Sequence, residues 1–144
     1  MPVLLRVHED DLGGVAVAQV KVYGRRDVWA GRQREVSDLI HGCLTSAWGL
    51  PDGKRFHRFL LLDEDDLICP ARGERYLIVE ILCFEGRSDD AKRVLIRAVF
   101  AALGTGLGLD AEDVELTIVE TPKVNWGIRG LPGDELALPY RVEV

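Results

Sequence analysis

Residues 76–108 read YLIVEILCFEGRSDDAKRVLIRAVFAALGTGLG, and the order of side chains in this stretch decides the fold class. Tyr76 to Phe84 is apolar almost throughout, as a central strand buried on both faces must be. Gly86 then turns the chain. Ser88 is placed to cap a helix, and Asp89 and Asp90 put negative charge in its first turn, where the helix dipole favours it. Ala91, Val94, Leu95, Ala98 and Ala102 form the inward stripe of that helix. Gly104, Gly106 and Gly108 are expected to end it, and Val114 to Val119 reads as a closing strand. The whole is a β-α-β unit.

Upstream, the same unit occurs once more. Residues 18–23, AQVKVY, alternate apolar and polar side chains and predict a strand, with Gly24 as its turn. Val36, Leu39, Ile40, Cys43, Leu44 and Ala47 then mark one face of a helix, closed by Gly49-Leu50-Pro51-Asp52. Phe56 to Leu62 predicts a second strand, and residues 63–74, acidic from Asp63 to Asp66, a solvated connecting loop. Gly24-Arg25 matches Gly86-Arg87, and Gly49-Leu50 matches Gly108-Leu109; between these marks the first half is longer by three residues, near Asp27 to Gly31.

Two such units with right-handed crossovers pair into one four-stranded mixed sheet with both helices on one face. The fold class is therefore α/β (α+β), a tandem β-α-β repeat. Since the strand at 76–84 is apolar on both sides and no third helical layer exists, oligomerisation is the simplest cover for the second face. The tail from residue 121 is rich in Gly and Pro and predicts short, hairpin-like edge strands. Residues 1–16 stand as an amino-terminal extension before a single domain of residues 17–144, with halves 17–62 and 75–120 and the tail 121–144.

Composition bounds the function. The 144 residues are 47% hydrophobic and 29% charged, as in ordinary globular domains, and carry a net charge of −6. Nucleic acid is a poor partner for that balance, because its binding releases counterions to clustered positive charge. Cys43, Cys69 and Cys83 are odd in number and lack a CxxC pair, so neither a disulfide framework nor a metal site is expected, and the cytoplasm fits. No apolar run is long enough to span a membrane, and the start, MPVLLRVHEDD, does not read as a signal peptide. His8 and His57 show no metal spacing, and His41, on the stripe side of its helix, reads as a partly buried histidine.

Three pieces of sequence carry a resemblance: KRFHRF (Lys54 to Phe59), FEGRS (Phe84 to Ser88) and ETPKVNWGIRGLPGDEL (Glu120 to Leu136). Together they resemble the tautomerase (4-oxalocrotonate tautomerase-like) superfamily, over residues 18–144. The resemblance implies two β-α-β units assembled as a trimer, no cofactor, and a small carboxylate substrate. It also implies chemistry by an amino-terminal proline, freed by removal of Met. A free α-amino group has a pKa of about 7.7–8.0, and nearby cations tune it into a base suited to neutral pH.

Pro2 follows Met1 as that signature requires, yet the strand matching the family's first strand begins at Ala18, so the proline is out of register. Three readings follow. Val17 is the true start codon; or the extension is real and places Pro2 in the pocket; or Pro2 has no catalytic role. Arg87 matches a substrate-binding arginine of the family's dehalogenase and decarboxylase branches, with a surface arginine at a helix start as the bland alternative. The second arginines of those branches fall on Phe84 and Glu85, which weakens a dicarboxylate or haloacrylate substrate. Glu120 matches a glutamate that helps activate water. Lys54, in the basic cluster with Arg55, His57 and Arg58, and the tail residues Asn125, Trp126 and Arg129 complete the candidate binding set; Trp126 fits an apolar wall or interface packing, and Arg129 an anion ligand. Two functions follow: keto-enol tautomerisation or related chemistry on a small 2-oxo or unsaturated carboxylate, or a non-catalytic oligomeric binding or scaffold protein that kept the fold.

Overall fold

The computed structural model describes residues 18–136. The elements in order are β1 (Ala18–Arg25), α1 (Arg26–Trp29), α2 (Gln33–Trp48), β2 (His57–Leu62), β3 (Leu77–Phe84), α3 (Asp89–Leu107), β4 (Val114–Thr121), β5 (Gly127–Ile128) and β6 (Leu131–Pro132). The main sheet has the order β2-β1-β3-β4. Parallel pairs β1/β2 and β3/β4 flank an antiparallel β1/β3 centre. Val20 pairs with His57 and Leu77 with Val114, the same separation along the chain in each half, so the tandem repeat is a repeat of register as well as of order. Pro2, His8 and residues 137–144 lie outside the described residues.

Alternation along the strands sends Val20, Val22, Val79, Ile81 and Cys83 to the helical face, where each is 0% exposed. Full burial of such a side chain contributes roughly 1.5–3 kcal/mol. From α2, Val36, Ile40 and Leu44 meet this layer, and from α3, Leu95, Val99, Leu103 and Leu107. The α3 stripe is rotated from the sequence expectation: Val94 is 53% exposed. Both helices end at a left-handed glycine, Gly49 and Gly108. Gly104 and Gly106 do not end α3 but lie inside it. A Cβ on Gly106 would stand 2.7 Å from the Leu39 side chain, so this glycine is what lets α2 and α3 approach.

The first half departs from the second at Gly24. That residue is not a turn but part of β1, paired with Leu61. Where the second half runs from Phe84 to Asp89 without further helix, the first inserts α1 and its turn, at the predicted extra residues near Asp27 to Gly31. A Cβ on Gly24 would fall 2.8 Å from the Trp29 ring and 2.9 Å from Leu77. Glycine thus makes the room into which α1 drops Trp29, 1% exposed.

The face away from the helices carries Gln19, Lys21 and Tyr23 on β1 and Ile78, Glu80 and Leu82 on β3. The Tyr23 hydroxyl donates to Glu80 Oε1 at 2.6 Å. Beside them, Leu60 and Val119 are 38% and 39% exposed. Phe84 on this face is buried because Trp126 stacks edge-on against it, with ring centroids 5.3 Å apart.

The tail forms the expected hairpin. Gly127 and Ile128 pair with Pro132 and Leu131. Arg129 (φ 53°) and Gly130 (φ 85°) make the two-residue turn, both in the left-handed region that a primed hairpin turn needs. Gly133 donates its N–H to the Trp126 carbonyl at 2.7 Å, and a Cβ there would lie 2.3 Å from the Lys123 carbonyl oxygen. Gly133→Ala is therefore expected to lift the tail, lowering unfolding free energy by about 1–3 kcal/mol. Urea denaturation measures this, and the Trp126 indole N–H should exchange faster; an unchanged midpoint and exchange rate would refute the account.

Candidate active site

Because β3 runs opposite to β1 and β2, the start of β1, the approach to β2 and the ends of β3 and β4 meet at one end of the sheet. Ala18, Lys54, Cys83, Arg87 and Glu120 gather there. Ala18 pairs with Cys83, and Cys83 with Glu120. Alternation puts Cys83 and Glu120 on the helical face, beneath the start of α3 and the last turn of α2.

The local sequence builds this end. Glu85 donates its N–H to Thr121 at 3.0 Å, extending the ladder past β3. Gly86 (φ 130°) then reverses the chain, and Ser88 Oγ accepts the Ala91 N–H at 3.1 Å to start α3, as its capping position predicts. Between them Arg87 turns inward. It is not a surface arginine: it is 5% exposed, its guanidinium lies 4.0 Å over the Trp48 ring, and Nη1 donates to the Phe84 carbonyl at 3.4 Å. Trp48 is itself fixed by its indole N–H on the Ala91 carbonyl at 3.0 Å. The aromatic face offers a cation a favourable seat out of water.

Glu120 Oε1 meets Lys92 Nζ at 2.6 Å, with side chains 20% and 27% exposed. Glu120 Oε2 is buried and has no hydrogen-bond partner among the described residues. Burial pushes the Cys83 thiol up to about 11, against the opposing pull of Arg87 and Lys92, while Glu120 adds to the rise. All three charges thus act on one buried sulfur. Lys92 Nζ also stands 3.8 Å from Asp89 Oδ1, so the lysine is shared between two carboxylates beside Arg87. Cys83 is a buried neutral thiol that packs as a small apolar residue.

The other candidates separate. Lys54 is 6% exposed in the approach to β2 rather than on the strand, and stands at the same end. Trp126 and Asn125 belong to the opposite face: Trp126 packs on Phe84 and donates to Thr121 Oγ1 at 2.6 Å, while Asn125 is exposed. Arg129 is exposed at the hairpin tip. One chain does not bring Arg129 to Arg87. Trp48 and Lys92 belong to the site although neither stood out in the sequence. Lys92 lies three residues before Leu95 and seven before Val99, so helical periodicity alone would have placed it on the inner face.

A second polar cluster joins α2 to the edge strand β2. Ser37 Oγ and His57 Nδ1 are 2.7 Å apart, Arg55 donates to Ser37 at 3.3 Å and pairs with Asp38, and the His41 and His57 rings meet edge to face. His41 Nε2 lies 3.1 Å from the Asp52 carbonyl. Burial first, then His41 and Arg55, push His57 down to about 4. The unfolded chain, with the ordinary value near 6.5, takes up that proton sooner, so stability is lost as pH falls from 6.5 towards 4. Between about pH 7.5 and pH 5 the expected loss is at most about 2 kcal/mol, at 1.36 kcal/mol per pKa unit. Urea denaturation of the wild type and of His57→Asn at both pH values measures it. Equal losses in the two proteins would contradict the assignment to His57.

No helix of the described residues is long and apolar enough to cross a membrane. Among them, no group of three or more His, Cys, Asp or Glu residues is placed to hold a metal ion.

A family described as "Tautomerase enzyme" matches residues 54–129, from Lys54 through Arg87 and Glu120 to Arg129. The chain belongs to the tautomerase family. A 2-hydroxymuconate tautomerase of Pseudomonas putida is 41% identical over 59 residues, 41% of this chain and 94% of that protein. Another, from Comamonas testosteroni, is 39% identical over 57 residues, 40% of this chain and 90% of that protein. These tautomerases are thus nearly spanned by less than half of the present chain, as a tandem repeat of the unit requires. The crystal structure of native fused 4-OT superposes with a TM-score of 0.73 at 18% identity, covering 82% of this chain and 98% of that one. FG41 malonate semialdehyde decarboxylase superposes with a TM-score of 0.69 at 22% identity, over 84% and 99%. At these identities the superpositions establish the tautomerase fold and nothing finer.

Proposed function

We propose that the protein interconverts the keto and enol forms of a small 2-oxo or unsaturated carboxylate, without a cofactor. The observation that carries this reading is the placement of Arg87 at the sheet end, pre-set on Trp48 beside the Lys92–Glu120 pair. A guanidinium fixed in this way is suited to hold a carboxylate and to stabilise enolate charge as it develops. The proton carrier is Glu120, or the amine of Pro2 where the amino terminus reaches this end. Lys54 adds positive charge at the same end, and Arg129, Asn125 and Trp126 belong to the pocket only through a neighbouring copy.

That neighbouring copy is part of the proposal. The partly covered sheet face, with Leu60, Val119, Ile78 and Leu82, fits a homo-oligomer, and fused 4-OT trimers stand among the structural relatives. A specific observation also supports the second reading, a non-catalytic binding protein. Ala18 stands first in β1, and its nitrogen is a peptide amide bonded to Val17, which cannot act as a base. Ketonisation of phenylenolpyruvate and of 2-hydroxymuconate, followed by ultraviolet absorbance on protein whose amino terminus is checked by intact mass, separates the two. Turnover that depends on Arg87 supports the enzyme; no turnover with either compound favours the binding protein.

A further inference from the structure

We infer that the cleft between the start of α2 and the edge strand β2 is a second ligand site, built from Gln33, Arg34, Arg55, His57 and Phe59 to hold a carboxylate carried on a small apolar body. It shares no residue with the Arg87 group and does not depend on the tautomerase reading. The cleft is open to solvent and has a volume of about 260 Å³. Arg55 and His57 also line an adjoining cleft of about 330 Å³, which continues to Phe56 and Arg58. Among the described residues, no Asp or Glu lines either cleft. An anion can therefore enter without meeting like charge on the walls, and low-dielectric walls strengthen the pull of the arginines on it.

The donors in the cleft are available. Arg34 is exposed, and its side chain makes no hydrogen bond or ion pair among the described residues; Asp38 feels its charge without bonding to it. Arg55 meets both Asp38 and Ser37 through Nη1 alone, so Nε and Nη2 keep their N–H groups for a ligand. Gln33 accepts the Gly31 N–H through Oε1 at 2.8 Å, which leaves its NH2 as a further donor. Beneath them Ser37 is 6% exposed; its Oγ stands 2.7 Å from His57 Nδ1 and accepts from Arg55 at 3.3 Å, so the donors are ordered before a ligand arrives. Phe59, two residues after His57 and on the same face of β2, supplies the apolar wall. Two guanidinium groups against the single carboxylate of Asp38 suit a carboxylate, which a guanidinium takes in fork geometry. His57, pushed down to about 4 chiefly by burial, is neutral at pH 7 and senses the ligand without having to be charged.

The test is a titration of the full-length protein at pH 7 and constant ionic strength with benzoate, benzyl alcohol and inorganic phosphate. The readout is the His57 imidazole resonance, assigned by its loss in His57→Asn. Benzoate should shift it in a saturable way, with a Kd on the order of 1 mM for a ligand of so few atoms. Benzyl alcohol, with the same ring and no charge, should not. Arg34→Ala should weaken benzoate about tenfold, as loss of one charged hydrogen bond requires. Because Arg34 is exposed and unbonded, that variant is expected to fold, and it decides the matter if Arg55→Gln melts early. Arg87→Ala should bind benzoate as the wild type does. The site is overturned by an absence of saturable shift with benzoate, by equal binding of benzyl alcohol, or by binding that Arg87→Ala weakens and Arg34→Ala does not. Phosphate that saturates the shift while benzoate leaves it unmoved overturns the ligand class.

Discussion

Arg87→Ala is expected to lower kcat/KM for phenylenolpyruvate by about 10²–10³, the range seen when one preorganised donor to developing charge is removed. The reason lies in how Arg87 is held. It follows a left-handed glycine and precedes a capped helix, so its backbone is set by Gly86 and Ser88 rather than by substrate. Its guanidinium rests on Trp48, so little freedom is left to lose on binding. Arg87→Lys should not restore activity, because an ammonium offers neither the planar fork for a carboxylate nor the flat surface for Trp48. The indole would also lose its covering cation in Arg87→Ala, so melting must be measured alongside. A folded Arg87→Ala protein with unchanged kcat/KM would remove Arg87 from the site.

Trp29→Ala should be the most damaging core substitution, lowering unfolding free energy by about 3–5 kcal/mol. Trp29 is 1% exposed and fills the space over Gly24 and beside Leu77. Nothing else in α1, a single helical turn, can fill it. The Trp29 indole nitrogen has no hydrogen-bond partner among the described residues, so packing and the Arg32 guanidinium 4.9 Å from its ring account for its hold. Urea denaturation should show the midpoint falling sharply with the slope preserved. A loss under ~1 kcal/mol would mean that α1 collapses into the space without penalty, and that Trp29 does not anchor it. Gly24→Val tests the same contact from the other side, since its branched side chain would have to enter the indole's place.

Several elements are legible in the sequence because their causes are local. Ser88, Asp89 and Asp90 mark the start of α3, and Gly49 and Gly108 mark helix ends because a left-handed residue fits there. The GIRGLP turn is legible in kind, short and hairpin-like, though that Arg129 rather than a glycine takes the first left-handed position is not. The misread glycines share one cause. Gly24, Gly104 and Gly106 look like chain breaks, yet Gly24 makes room for Trp29 and Gly106 for Leu39, partners brought together only by packing.

The same division runs through the site. Arg87 and Glu120 could be named from motif positions, and their sharing of one sheet end follows from the repeat. Their partners could not. Trp48 ends α2 and Lys92 lies in the first turn of α3, two elements that touch only once both helices lie on the sheet. By itself the sequence determined the two β-α-β units and their order, because hydrophobic periodicity and capping act within a few residues. Only the tertiary structure decided that Arg87 is buried on an indole, that Lys92 is bound to Glu120, and that Arg129 stands apart from both, because burial and charge pairing depend on which distant segments meet.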